Sequence, residues 1–373
     1  MSTSPWRNRP AEGRDAHPDG SGASRYWSAL PDGRVQCDLC PRHCRLREGQ
    51  RGLCYGRARR DGRVVLTTWG RSSGLCIDPI EKKPLNHFLP GTAVLSFGTA
   101  GCNLTCRFCQ NWQITKAGRA AAQMERATPA RVAAAAERLG CRSVAFTYND
   151  PVVFHEYAVD TAAACRERGI RTVAVTAGYV CAEPRAEFYA RMDAANVDLK
   201  AFTERFYRGL CSGSLAPVLE TIRYIRHETS VWLELTTLLI PGENDSATEL
   251  DELTGWVVAE LGCDVPLHFT AFHPDFRLRD RPPTPAATLH QACAIARRNG
   301  VRYAYTGNVR AADGASTKCP GCGEVVIGRD GYRLERWQLR HGACARCGAR
   351  IAGVFEDQPG AWGDRRLPVR ACG

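Results

Sequence analysis

From residue 93 the chain alternates short, continuous apolar runs with longer stretches whose apolar positions recur every three or four residues, and it holds that rhythm to residue 309. The short runs are AVLSFGTAG (93–101), SVAFTYN (143–149), RTVAVTAG (171–178), NVDLKAF (196–202), SVWLELTTLLI (230–240), PLHFTAFHP (266–274) and VRYAYTGNV (301–309). Their length and β-branched content predict strands buried on both faces. The stretches between them predict helices. TPARVAAAAERLG (128–140) starts with Thr128 as N-cap and Pro129 at the first helical position and stops at Gly140. VVFHEYAVDTAAACRERG, PVLETIRYIRHE, ATELDELTGWVVAELG and TPAATLHQACAIARRNG follow the same period. Strands of this kind joined by helices give a parallel sheet with right-handed crossovers. The expected class is α/β, a partial (β/α)6 TIM-like barrel over residues 76–310, with its chemistry at the C-terminal strand ends.

The flanks lack that rhythm. Residues 1–25 read as a disordered tail. Residues 26–75 form an N-terminal segment in which Cys37, Cys40, Cys44 and Cys54 stand among Arg and Gly with little apolar content, so a metal would have to hold it together. VVLTTWGRSSGLCIDPI then reads as strand and EKKPLNHFLPG as a Pro/Gly-punctuated connector. Residues 311–358 carry Cys319-x2-Cys322 and Cys344-x2-Cys347 on either side of hairpin-like strands, the pattern of a zinc ribbon. Residues 359–373 read as a second tail.

Composition narrows the classes. A chain of 373 residues can bury one large core with satellites. It has no apolar run of about 18 residues and no hydrophobic stretch near its start, which predicts a cytoplasmic protein without a spanning helix or secretory signal. Most of the nineteen cysteines fall in C-x2-C or C-x3-C groups, a metal-binding pattern in a reducing compartment. The net charge of +11 comes mainly from arginines scattered along the chain, and without a clustered patch it gives little support to nucleic-acid binding.

Candidate chemistry centres on Cys102, Cys106 and Cys109, spaced C-x3-C-x2-C directly after the first core strand. Three thiolates hold three corners of a cubane cluster, whereas electron-carrier clusters take four. The open iron can then bind the amino and carboxylate groups of S-adenosylmethionine. A zinc knuckle with a borrowed fourth ligand is the competing reading. The four N-terminal cysteines fit either structural zinc or an auxiliary iron–sulfur cluster, with zinc the favoured reading. Trp112, Tyr148 and Tyr179 are candidate cavity walls. His268 reads as a core histidine.

The three-cysteine motif, with Phe108 before its last cysteine, resembles that of the radical SAM superfamily. Together with CDLCPRHCRLREGQRGLC, DPIEKKPLNHFLPG, FTYNDPVVFHEY, TTLLIPGENDS, HFTAFHPDF and the terminal ribbon, it is similar to the radical SAM enzyme of the AmmeMemoRadiSam system, often labelled pyruvate formate-lyase activating enzyme-like. The resemblance implies a [4Fe-4S] cluster on Cys102, Cys106 and Cys109, and S-adenosylmethionine held near Phe108, Asn149, Asp150, Thr176, Asp198, Lys200 and His273. It implies zinc on the ribbon cysteines, Memo-like and AMMECR-type partners, and a reductant such as ferredoxin or flavodoxin. Asp150 departs from the family's glutamate, and Ala177 stands where asparagine is common. The implied activity is hydrogen abstraction from an unidentified substrate. A glycyl-radical activase is the narrower version, and a zinc-ribbon nucleic-acid binder or an electron-transfer protein are the alternatives of other classes.

Overall fold

The computed structural model describes residues 21–116, 124–309 and 314–370. The apolar runs become one nine-stranded sheet because they are buried on both faces and only a covered sheet satisfies them. Its strands are β1 (Leu75–Pro79), β2 (Ala93–Phe97), β3 (Ser143–Phe146), β4 (Arg171–Thr176), β5 (Ala194–Asp198), β6 (Trp232–Leu239), β7 (Leu267–Ala271) and β8 (Ala304–Gly307), then β11 (Leu367–Val369). Two more, β9 (Val325–Asp330) and β10 (Arg333–Trp337), pair apart from it in the C-terminal ribbon. The order in the sheet is β8, β7, β6, β5, β4, β3, β2, β1, β11. β2 through β8 run parallel, while β1 at one side is antiparallel to both of its neighbours, β2 and β11. With β8 and β11 as edges, the barrel is partial.

Each parallel pair is joined across a helix: α1 (Pro129–Arg138), α2 (His155–Arg166), α3 (Ala182–Tyr189), α4 (Ala216–Glu228), α5 (Ala247–Leu261) and α6 (Ala286–Arg298). Thr128 precedes α1 with extended backbone, and Pro129 fills the first turn. Ser246 caps α5 by accepting the Glu249 N–H at 3.2 Å. Helix α3 is eight residues with no apolar stripe, so periodicity alone left it unread. Phe97 and Phe146 on neighbouring strands meet Phe154 and Tyr157 beneath α2, with centroids of the first pair 5.5 Å apart.

Both flanks are more ordered than expected. The predicted tail over 1–25 lies outside the described residues up to 20, but Gly22–Ala23 forms a strand paired with Leu66 and Val65. That strand belongs to an N-terminal lobe of two small antiparallel sheets. Arg57 of the lobe is buried and makes a bidentate ion pair with Glu156 on α2, so the lobe is fastened to the barrel by one desolvated charge pair. Of the predicted tail over 359–373, residues 371–373 lie outside the described residues and 359–370 join the fold. Gly360 stacks so closely on Gly91 that a Cβ on either would strike the other's backbone, and β11 then completes the sheet edge.

The ribbon bridges the open side of the barrel. Arg329 on β9 is buried, donates to the Asn86 carbonyl at 2.6 Å and pairs with Glu81 at 3.6 Å. Tyr305 on β8 contacts Thr317 at 2.8 Å, tying the last parallel strand to the same unit.

Candidate active site at the strand tips

Directly after β2 the chain turns on two glycines that tolerate close backbone approach. A Cβ at Gly98 would stand 2.3 Å from the Thr147 carbonyl oxygen, and one at Gly101, where φ is +95°, would stand 1.8 Å from that of Cys54. The loop that follows is pinned from several sides. Asn149 at the tip of β3 accepts the Thr99 N–H at 2.9 Å and donates to the Gly101 carbonyl at 2.7 Å. Asn103 donates to the Tyr179 carbonyl at 2.8 Å, and Lys116 to the Leu104 carbonyl at 2.6 Å. Thr105 and Arg107 donate their N–H groups to the carbonyls of Cys211 and Leu210.

The loop thereby presents Cys102, Cys106 and Cys109 to a cavity of about 370 Å³, within the size range of small-molecule sites. Phe108, Asn149, Asp150, Thr176, Asp198 and Lys200 line the same cavity, so nine of the ten residues expected at this site converge there. His273 does not. It is exposed beyond the end of β7, where Phe272 already bonds Thr284 and turns the chain away. The alternation of β7 instead puts His268 and Thr270 on the cavity wall, with His268 held by Glu234 at 2.7 Å. Of the aromatic candidates, Tyr148 lines the cavity, with a left-handed backbone (φ +70°). Trp112 is stacked on Phe276, and Tyr179 is buried in packing.

Asp150 is committed to the protein itself. One carboxylate oxygen accepts the Val152 N–H and the other the Ala177 N–H, both at 2.9 Å, while Thr176 donates its hydroxyl to both. The shorter acid therefore ties the β3 and β4 tips together, and its pKa is raised by burial. Lys200 bonds Asp198 at 2.9 Å. Burial alone would depress the Lys200 ammonium, but Asp198, Cys106 and Cys211 outweigh it and hold its pKa well above the ordinary value.

The thiols differ among themselves. A hydrogen bond from Cys211, helped by the charges of Lys200 and Lys116, outweighs burial and lowers Cys106 to about 7. Burial, reinforced by Asp150, pushes Cys102 up to about 12, and burial also raises Cys109. Cys211 was not singled out from the sequence, because it lies far from the motif and is brought behind Cys106 by a π-helical turn, Tyr207–Cys211. It does not line the cavity. Two buried oxygens on the wall lack any protein partner, Thr236 Oγ1 and Glu81 Oε2. Asp78, another unread residue, receives Lys83 at 2.7 Å, Lys82 at 2.9 Å and Tyr148 at 3.2 Å. The ribbon adds Gly331 and Tyr332 to the wall.

Two other cysteine quartets complete the picture. In the ribbon, Cys319 Sγ lies 3.5 Å from Cys347 Sγ, and Cys322 Sγ lies 3.8 Å from Cys344 Sγ, with all four donors within 4.8 Å of one another. Tetrahedral zinc with bonds of about 2.3 Å spaces its sulfurs by about 3.8 Å. Cys37, Cys40, Cys44 and Cys54 converge on a small cavity of their own.

The family profile of the Radical SAM superfamily matches residues 97–253, which include the three-cysteine loop and strands β3 to β6. An uncharacterized protein of Methanocaldococcus jannaschii is 38% identical over 328 residues, covering 87% of this chain and 97% of its own length. The chain belongs to the radical SAM superfamily. It is a radical SAM enzyme, and membership implies a [4Fe-4S] cluster and S-adenosylmethionine. Among solved structures it is similar to a domain of pyruvate-formate lyase-activating enzyme from Bacteroides vulgatus, at 19% identity over 44% of this chain and 99% of that one, with a TM-score of 0.40. It is also similar to a radical SAM methyltransferase from Sphaerobacter thermophilus, at 17% identity over 64% of this chain and 71% of that one, with a TM-score of 0.45. Among the described residues no helix is long and apolar enough to cross a membrane.

The residues fit the implied cofactors. Three thiols face one cavity without meeting as tightly as the ribbon's zinc-sized quartet, and two residues that line it, Thr236 and Glu81, carry a polar atom without a partner.

Proposed function

We propose that this enzyme cleaves S-adenosylmethionine reductively in the strand-tip cavity and directs the radical to a hydrogen atom of a substrate bound beside it. The observation that carries this reading is that Cys102, Cys106 and Cys109 open together onto a cavity lined by strand-tip polar groups. Bound there, the cluster and its ligand supply one-electron cleavage of a sulfonium to methionine and a 5′-deoxyadenosyl radical.

The chain's own residues do the holding. The Lys200 ammonium, charged at neutral pH, offers a point charge to a carboxylate, and Asp198 beside it accepts from hydroxyls. Asp150 acts through Thr176 and Ala177 by fixing the β4 tip, so the N–H groups of the methionine amino group are received by backbone carbonyls of the β3 tip and not by this carboxylate. Thr236 Oγ1 and Glu81 Oε2, which have no partner within the protein, are the further acceptors among the lining residues. Leu104, Phe108, Val175 and Leu238 provide apolar walls that keep water from a reactive radical.

Finer roles belong to the same proposal. The enzyme acts within an AmmeMemoRadiSam system in the cytoplasm, with Memo-like and AMMECR-type partners and a low-potential ferredoxin or flavodoxin as reductant. The ribbon quartet holds one zinc. Activation of a glycyl-radical protein is a special case in which the abstracted hydrogen belongs to a glycine.

Anaerobically reconstituted enzyme, given dithionite and S-adenosylmethionine, should release 5′-deoxyadenosine, and Cys106→Ala should release none. Fully reconstituted wild type that leaves the nucleoside sulfonium intact would refute the proposal.

A further inference from the structure

Cys37, Cys40, Cys44 and Cys54 come from three separate pieces of the N-terminal lobe, yet all four line one cavity with Leu39, Leu46 and Arg57. The sulfurs of Cys44 and Cys54 each lie 3.7 Å from the place a Cβ of Gly52 would take, so both approach the same point. A zinc ion bound at about 2.3 Å draws four sulfurs nearly into contact, about 3.8 Å apart. In a cubane each thiolate takes a different iron, which keeps the sulfurs apart. The molecule carries its own references for both cases. The ribbon quartet is drawn together within 4.8 Å, whereas neither the catalytic trio nor the N-terminal four form such a group among the described residues.

The lobe also sits against the catalytic loop. The Cys54 carbonyl oxygen lies in the space a Cβ of Gly101 would take, next to Cys102. Asn103 lines the lobe's cavity, while its neighbours Cys102 and Leu104 line the catalytic one, so one residue forms the partition between them. Arg42, from the lobe, donates to the Asn103 carbonyl at 2.6 Å and fixes that partition. On the outer side Cys54 is flanked by Leu53 and Tyr55, which are among the few large exposed apolar residues, and exposed Arg51 donates to the Tyr55 carbonyl at 2.9 Å.

We infer that Cys37, Cys40, Cys44 and Cys54 hold a second iron–sulfur cluster, through which the reducing electron passes to the catalytic one. This rests on the radical SAM reading of the Cys102 loop. One electron leaves a reduced low-potential carrier protein of the flavin or iron–sulfur class at the Leu53 and Tyr55 face, reduces the N-terminal cluster, and crosses the Asn103 partition to the catalytic cluster. The carrier is oxidised by one electron, and no proton moves.

The test begins with the triple variant Cys102→Ala, Cys106→Ala, Cys109→Ala, which leaves the lobe untouched. Prepared anaerobically, it should retain about four irons and about four sulfides per chain. After dithionite it should give an electron paramagnetic resonance signal that S-adenosylmethionine does not alter. A folded triple variant that carries zinc and no iron overturns the cluster. In Cys40→Ser that signal should be lost while the signal altered by S-adenosylmethionine persists. In the same variant, reduction of the catalytic cluster by reduced flavodoxin should be lost; unchanged reduction overturns the relay. Wild type that lacks the N-terminal signal yet still forms 5′-deoxyadenosine sinks this inference alone, whereas failure to form the nucleoside with dithionite sinks the reading beneath it.

Discussion

The backbone of Cys54 rests against the α-carbon of Gly101, so the two cysteine-bearing segments share a contact that no side chain can enter. Gly101→Ala should therefore be severe. A left-handed backbone costs an L-residue about 1–2 kcal/mol, and here the added methyl meets a carbonyl besides. The expected outcome is a lower melting temperature and a loss of iron from the Cys102 loop, measured by thermal denaturation and metal analysis. Retention of wild-type iron would contradict the contact's importance.

Much of this arrangement was legible in the sequence because it obeys local rules. Buried strands, capped helices and a three-cysteine loop after the first core strand are written in neighbouring residues, and the strand tips followed from the barrel rule. What escaped depends on chain segments meeting over long separations. Cys211 approaches Cys106 only through a π-helical turn, and Tyr332 reaches the cavity only because the ribbon spans the open side of the sheet. His273 was expected at the site and His268 in the core, whereas the cavity wall receives His268 and not His273. The strand ends at Ala271, so the bend after it, and not the alternation, places His273.

Asn149 joins the β3 tip to the cysteine loop through three hydrogen bonds. Asn149→Ala would leave the Thr99 N–H and the Gly101 carbonyl without these partners, at about 1–3 kcal/mol for each buried group. Calorimetry should show that loss in stability, together with reduced cluster occupancy. Wild-type stability and iron content in the variant would mean that the loop holds itself.

Lys200→Met should weaken S-adenosylmethionine binding. Loss of one charge-assisted bond, about 1.5–3 kcal/mol, corresponds to a dissociation constant raised by roughly ten- to a hundred-fold. Equilibrium dialysis against the reconstituted protein measures it. An unchanged constant would assign the Lys200 and Asp198 pair to structure alone.

The Arg57 and Glu156 pair gives a pH signature. Burial would raise Glu156, but Arg57 outweighs it and lowers the carboxyl from 4.5 to about 2. A folded pKa below the unfolded one means stabilisation that is fully present above about pH 4.5 and is lost as pH falls towards 2. Its size is about 3 kcal/mol. Hydrogen exchange across residues 24–66 should rise in that window, and in Glu156→Gln it should already be raised at neutral pH. Protection that stays flat down to pH 2 would contradict the assignment.

The central claim is that one corner of the metal site behind Cys102, Cys106 and Cys109 is left for S-adenosylmethionine and not for a fourth side chain. The most direct measurement is electron–nuclear double resonance of the reduced, reconstituted enzyme with S-adenosylmethionine labelled with ¹⁵N at its amino group. The account predicts a ¹⁵N coupling that shows the amino nitrogen bound to iron and that persists in Cys211→Ala. Absence of that coupling in the wild type, with a cluster signal that changes when Cys211 is replaced, would show the corner closed by the protein and contradict the account.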